Sequence, residues 1–176
     1  MRCVLSAALS LPVALSSGTS VGDGCTIEGT GKGEILRGTR GSDVICGKGG
    51  GDRILGFRGD DVVFGGPGSD DIEGGFGDDR LFGGGGHDSV EGGRGPDRLL
   101  GQRGRDLAVV GGRGPDVLKG GPASDPCLRS ADGGLANNRV FGGRGRDLAF
   151  TDARDVRRSI EGTASSSCPA VGTPPP

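Results

Sequence analysis

The sequence predicts an all-β protein, a parallel β-roll, that is, a right-handed β-solenoid of tandem nonapeptide repeats. Three observations lead to this fold. Glycine supplies 41 of the 176 residues. A nine-residue pattern places Gly at positions 1 and 4 and Asp at position 6 through most of the chain, and an aliphatic residue recurs at position 8. A unit this short cannot bury its apolar residue alone, so neighbouring copies must stack into one continuous core.

Eight consecutive repeats begin at Gly38 and follow the pattern without interruption. We interpret Val110 as a one-residue insertion after them, and the pattern resumes at Gly111. The aliphatic residues keep one phase throughout, which argues against a polar glycine-rich linker in which Asp serves only solubility. Position 8 of the eight repeats is Ile45, Ile54, Val63, Ile72, Leu81, Val90, Leu99 and Ala108.

The residue type at each position predicts the local structure. Glycine adopts positive φ without a Cβ clash, which suits a turn over positions 1 to 6. Positions 7 to 9 then form a short strand, in which alternation points position 8 inward and positions 7 and 9 outward. Two repeats complete one coil, and successive coils stack at roughly 4.8 Å, the spacing of strands in a sheet.

The pattern also divides the chain into regions. The first residues resemble a secretory signal, with Arg2 before an apolar stretch that ends in small residues. A mis-assigned start or a disordered N-terminus is the alternative. The predicted regions are a signal peptide at 1–17, an N-terminal cap at 18–28, the repeats at 29–150 with insertions at 110 and 129–132, and a C-terminal cap with a Pro-rich tail at 151–176.

The motif G-G-x-G-x-D-x-U-x, where U is aliphatic, resembles the RTX, or hemolysin-type, calcium-binding repeats of secreted bacterial proteins. The resemblance covers Gly29 to Phe150. It implies calcium ions that lie between turns two repeats apart, and about six well-formed sites. Carried over, the ligands are Asp43, Asp61, Asp79 and Asp97 along one edge and Asp52, Asp70, Asp88 and Asp106 along the other, with further sites near Asp116, Asp125 and Asp147 that the insertions put in doubt.

Calcium suits these positions chemically. The ion takes six to eight oxygen ligands from carboxylates and backbone carbonyls, and glycine-rich turns expose carbonyls. Stacked Asp carboxylates repel one another, and one aliphatic residue per repeat makes a thin core. We therefore expect the chain to fold on binding calcium. Ala123 and Ala136 replace the position-4 glycine, which predicts weak or absent sites in those turns.

The cysteines support export. Removal of the signal leaves four of them, an even set that is typical of an extracellular disulfide protein; free thiols in a cytosolic protein are the alternative. Cys25 and Cys46 fall in repeats of the same parity, and the tail that carries Cys168 could fold back over Cys127. We predict the disulfides Cys25–Cys46 and Cys127–Cys168, one at each end of the roll.

The functional prediction is a secreted, non-catalytic calcium-binding module with a structural or adhesive role. The sequence has no HExxH, GxSxG or Walker motif, and its one histidine, His87, stands at a variable turn position. One alternative is a detached calcium-dependent carrier that helps an exported hydrolase or toxin to fold. The other is a hydrolase of unrecognised type. We find no basic block for nucleic acid and no segment apolar enough to span a membrane.

An apolar ladder predicts a contact surface. Phe64, Phe82 and Leu100 occupy outward position 9 in alternate repeats, which share one side of the roll. Exposed apolar patches commonly mark contact with a protein partner or a second copy of the chain. Stabilisation of neighbouring strands, or coverage by the tail from Thr151 to Pro176, is the alternative.

Overall fold

The computed structural model describes residues 24–130, 136–152, 154–160 and 162–163, so the predicted signal peptide lies outside the described residues. In that part of the chain all regular secondary structure is β-strand, and there is no helix long and apolar enough to cross a membrane. The strands are β1 (Ile27–Glu28), β2 (Ile35–Arg37), β3 (Val44–Cys46), β4 (Arg53–Arg58), β5 (Val62–Pro67), β6 (Asp71–Phe76), β7 (Arg80–Gly85), β8 (Ser89–Arg94), β9 (Arg98–Arg103), β10 (Ala108–Arg113), β11 (Val117–Gly121), β12 (Leu128–Arg129), β13 (Arg139–Gly143), β14 (Leu148–Phe150), β15 (Val156–Arg158) and β16 (Gly162–Thr163).

The strands alternate between two sheets. The odd-numbered strands form one eight-stranded sheet in sequence order, and the even-numbered strands form the other. Each strand pairs in parallel with the strand two places along the chain, as β5 does with β7 and β6 with β8. One coil therefore contributes one strand to each sheet. This is the predicted parallel β-roll.

The core is a column of position-8 side chains between the two sheets. Alternation along each strand buries these residues and exposes their neighbours; in β7, for example, Leu81 is buried and Arg80 is exposed. Strand register brings each core residue directly over the next, as Val63 over Leu81. The column consists of Leu36, Ile45, Ile54, Val63, Ile72, Leu81, Val90, Leu99, Val109, Leu118, Leu128, Val140 and Ala149.

The insertion predicted at Val110 is placed wrongly. Val109 pairs with Val90 and enters the core column, while Val110 is at position 9 opposite Glu91. The extra residue is Leu107, because the backbone N–H groups of both Leu107 and Ala108 point to the Asp88 carbonyl, at 2.8 and 3.5 Å. Such a β-bulge admits valine, rather than the smaller Ala108, to the core position.

The same shift recurs in the next coil of this sheet. Leu128, rather than Cys127, pairs with Val109 in the core column. Arg129, predicted to belong to the insertion at 129–132, is a strand residue that pairs with Val110 and Phe150. The two repeats with a shifted register are neighbours in the same sheet, so their strands β10 and β12 pair with each other. Residues 131 and 132 of the predicted insertion lie outside the described residues.

The strands extend beyond positions 7 to 9. Most central strands have six residues and continue through positions 1 to 3 of the following repeat, as β5 does to Pro67. Within the predicted turn over positions 1 to 6, positive φ occurs at positions 2 and 4, as in Gly66 (109°) and Gly68 (146°). Glycine at position 2 bends the strand without ending its hydrogen-bonded ladder. Ala123 lacks the positive φ of the glycines that it replaces.

A disulfide closes the N-terminal end of the roll. Cys25 and Cys46 are joined, as predicted, with their Cα atoms 6.1 Å apart. Cys46 is at the end of β3, so the bond ties the chain before β1 to the next strand of the same sheet. Cys127 is also a disulfide-bonded cysteine. Its predicted partner Cys168 lies outside the described residues.

Candidate metal sites

The position-6 residues form two ladders, one along each turn edge of the roll. All eleven Asp residues at the predicted sites are buried, the most exposed being Asp43 at 8%. Within a ladder the backbone N–H of each Asp donates to Oδ1 of the Asp in the next coil: Asp61 N–H to Asp79 is 2.9 Å, and Asp79 N–H to Asp97 is 2.9 Å. One ladder runs through Asp43, Asp61, Asp79, Asp97 and Asp116, and the other through Asp52, Asp70, Asp88, Asp106, Asp125 and Asp147.

Three residues beyond the predicted ligands belong to the same ladders. Glu34 donates its N–H to Asp52 Oδ1 at one end. Asn138 accepts the Asp116 N–H at 2.7 Å and donates its own N–H to Asp155 Oδ1 at 3.1 Å. The position-6 register locates Glu34 and Asn138 in degenerate repeats. Asp155 is harder to recognise, because exposed Arg157 stands where its repeat should have an aliphatic core residue.

The second carboxylate oxygen distinguishes these ladders from ordinary hydrogen-bonded networks. Oδ2 is buried and has no hydrogen-bond partner in eight of the aspartates. A buried carboxylate oxygen without a donor is destabilising unless a proton or a cation satisfies it. The eight residues are Asp52, Asp61, Asp70, Asp79, Asp88, Asp97, Asp106 and Asp125.

The glycine at position 1 makes room for these oxygens. A Cβ atom on Gly56 would lie 2.5 Å from Asp61 Oδ2 and 2.5 Å from the carbonyl oxygen of Gly74 in the next coil. The same two kinds of oxygen surround Gly65, where they come from Asp70 and Gly83. Position 1 therefore requires glycine because of close approach, not because of φ. Each repeat thus brings a carboxylate oxygen of its own and a carbonyl oxygen of the following coil to one cradle.

The donor set of the cradle fits a hard cation. Both kinds of oxygen, from carboxylates and from backbone carbonyls, are those that calcium prefers. The part of the chain described by the structure holds no cluster of three or more His, Cys, Asp or Glu side chains poised for a metal. Carbonyl oxygens would therefore have to complete any coordination shell, which suits calcium better than a metal that depends on His or Cys.

A family model for the RTX calcium-binding nonapeptide repeat matches most of the chain. The chain belongs to this RTX repeat family. Repeats of this family bind calcium and generally serve as structural modules. Comparisons with curated proteins and with solved structures give no significant match. The matched segments are residues 28–56, 37–72, 47–81, 64–99, 82–107, 108–125 and 131–153.

Burial alters the acidity of the RTX ladder carboxyls. Desolvation, reinforced by the charge of the neighbouring aspartates in the ladder, raises the pKa of Asp97 to about 8 and that of Asp106 to about 7. Hydrogen bonds from the backbone of the preceding coil act in the opposite direction but do not compensate. The pKa is raised to about 6 in Asp70, Asp79, Asp88 and Asp125.

These shifts predict that acid stabilises the metal-free RTX roll. The same carboxyls titrate near 3.9 in an unfolded chain, so between about pH 4 and pH 8 the folded chain binds more protons. Stability should therefore rise as pH falls through this window, and be lost as pH rises through the folded pKa values. We expect circular dichroism in EDTA to show more β structure at pH 5 than at pH 8. A signal that is unchanged or weaker at pH 5 would contradict this.

Neighbouring acids at position 5 are in a different environment. Asp60 and Asp78 precede the ladder residues Asp61 and Asp79, but both are exposed to solvent. They form a short outer ladder, in which Asp78 N–H donates to Asp60 Oδ1 at 2.9 Å. Each of these pairs of adjacent aspartates thus consists of one buried and one solvated residue.

Proposed function

We propose that this chain is a secreted, non-catalytic structural module that folds when calcium binds between its coils. The observation that carries the proposal is the set of eight buried Asp Oδ2 atoms without a hydrogen-bond donor. The ligands would be the ladder aspartates Asp43, Asp52, Asp61, Asp70, Asp79, Asp88, Asp97, Asp106, Asp116, Asp125 and Asp147, together with carbonyl oxygens of the glycine-rich turns. A bound calcium ion supplies positive charge to these oxygens.

Folding on binding follows from the balance of interactions. The core holds one aliphatic side chain per repeat, so little apolar area offsets the entropy of ordering so many glycines. The ladder carboxylates add repulsion in the folded state, and this repulsion is absent from an extended chain. Calcium binding to the roll alone would shift the equilibrium towards the roll, because a ligand stabilises the state that binds it.

Secretion is supported by the cysteines and by the family. Disulfides such as Cys25–Cys46 persist in oxidising compartments and are rare in reducing ones. Extracellular calcium is also abundant enough for sites of modest affinity. We also propose an adhesive role, in which one face of the roll contacts another surface.

Isothermal titration calorimetry of the chelator-treated chain tests the proposal. We expect about six calcium ions to bind per chain, as the adjacent pairs of intact repeats imply. Magnesium should bind much more weakly, because it demands near-octahedral geometry and retains its waters. Binding of one calcium ion or none, or equal binding of magnesium, would refute the proposal.

A further inference from the structure

One face of the roll concentrates positive charge. The outer surface of the odd-numbered sheet presents one exposed cation in each of five successive coils, at position 7 or 9 of β7, β9, β11, β13 and β15. Strand register aligns them, with Arg80 opposite Arg98 and Lys119 in the column of Arg158. Four coil spacings of about 4.8 Å give a row of roughly 19 Å. We call this surface the basic face: Arg80, Arg98, Lys119, Arg139 and Arg158.

Positions 7 and 9 of these five strands carry no acidic residue, and the exposed turn residue Asp78 lies beside Arg80 and Arg98 at the edge of the face. The other residues at positions 7 and 9 of these five strands are apolar: Phe82, Leu100, Val117, Phe141 and Val156. The ion pairs found among the described residues, Lys48 with Glu28 and Arg53 with Asp71, lie elsewhere. The register of the paired strands thus keeps these positive charges one coil apart. Such an arrangement is complementary to an anionic surface.

The aromatic rings on this side are poorly placed for stacking on a ligand. Phe64 and Phe82 stack on each other, with ring centroids 4.9 Å apart and planes at 9°. Lys119 and Arg139 lie over the ring of Phe141, at 5.9 and 5.6 Å from its centroid. Recognition of single-stranded nucleic acid depends on open ring faces for the bases. The basic face therefore lacks the feature that would favour nucleic acid over other anions.

We propose that the basic face docks on an anionic phospholipid membrane surface. Five cations in one plane can meet lipid phosphates together, because the sheet holds them in fixed register. The apolar side chains between them would reach the boundary of headgroups and acyl chains, where mixed basic and apolar surfaces bind. A free polyanion offers no partner for these apolar residues. The proposal goes beyond calcium binding and needs only a folded roll.

Vesicle cosedimentation in calcium tests the proposal. Wild-type protein should bind vesicles that contain phosphatidylglycerol and leave vesicles of phosphatidylcholine alone. The double variant Arg98→Glu, Arg139→Glu should bind at least roughly thirty-fold more weakly than wild type, since each basic residue near an anionic membrane contributes about a factor of five in affinity. The matched control, Arg37→Glu with Arg113→Glu, makes the same change in net charge at exposed residues of β2 and β10 in the even-numbered sheet. It should bind within about three-fold of wild type.

Each outcome decides the proposal. Equal binding to both vesicle types, or equal loss in both double variants, would overturn it. Binding to single-stranded DNA that Arg98→Glu, Arg139→Glu abolishes, without vesicle binding, would assign the face to nucleic acid instead. Circular dichroism confirms that each variant is folded. A roll that stays folded in EDTA would refute calcium-dependent folding while leaving the membrane result intact.

Discussion

Treatment with EDTA at pH 8 is expected to abolish most of the β-sheet circular dichroism of this protein, and added calcium should restore it. The ladder carboxylates explain the size of the effect. Eight of them have a buried oxygen without a hydrogen-bond donor, and each repeat contributes only one side chain to the hydrophobic core between the sheets. At a free calcium concentration 100 times Kd, each site stabilises the roll by about 2.7 kcal/mol. Loss of several sites therefore exceeds the whole stability of a typical small domain.

Magnesium at the same concentration is the control for ionic strength and charge screening. It should restore little β structure, because its smaller, octahedral shell fits carbonyl-rich turns poorly. The disulfide Cys25–Cys46 remains closed in EDTA, so the loss would not reflect reduction. If the spectrum in EDTA matched that in calcium, the hydrophobic column alone would be sufficient to fold the chain, and the proposed calcium-dependent folding would be wrong.

The regular part of the fold could be predicted from the sequence because each repeat encodes the same structure. Position 8 fixes the inward side of every strand, and the parity of repeats assigns each strand to its sheet. This also placed Cys25 beside Cys46, which the structure confirms. Position 6 likewise located the buried aspartates. These features depend only on periodicity, which a single sequence displays directly.

Irregular positions could not be predicted in the same way. Leu107, Ala108, Val109 and Val110 are four consecutive apolar residues, so the pattern does not reveal which one is extra. Packing decides, because Val109 fills a core position between Val90 and Leu128. The reason for glycine at position 1 could not be predicted from the pattern either. Its requirement arises from oxygens of two different coils, and such contacts exist only after the coils have stacked.

Replacement of Asp79 by Ala is expected to damage calcium binding far more than replacement of its neighbour Asp78. Asp79 is 1% exposed and has ladder neighbours on both sides, Asp61 and Asp97. Asp78 is exposed and stands outside the ladder. Asp79→Ala should remove up to two calcium ions from the stoichiometry. At a calcium concentration 100 times Kd this corresponds to about 5 kcal/mol of folding free energy. Asp78→Ala should keep the wild-type stoichiometry and change stability by less than about 0.5 kcal/mol.

A third variant, Asp79→Asn, separates the charge from the hydrogen bond. Its amide oxygen can still accept the Asp61 N–H, which Asp79 Oδ1 accepts at 2.9 Å, while the negative charge is gone. If the carboxylate acts as a calcium ligand, Asp79→Asn should lose calcium nearly as severely as Asp79→Ala. Asp79→Asn should be no less folded than wild type in EDTA at pH 8, because a buried charge with a raised pKa has been removed while the acceptor of the Asp61 N–H is kept. Calorimetric stoichiometry with urea unfolding in calcium and in EDTA measures both effects. Equal loss of calcium in Asp78→Ala and Asp79→Ala would show that the ligands do not follow the position-6 ladder.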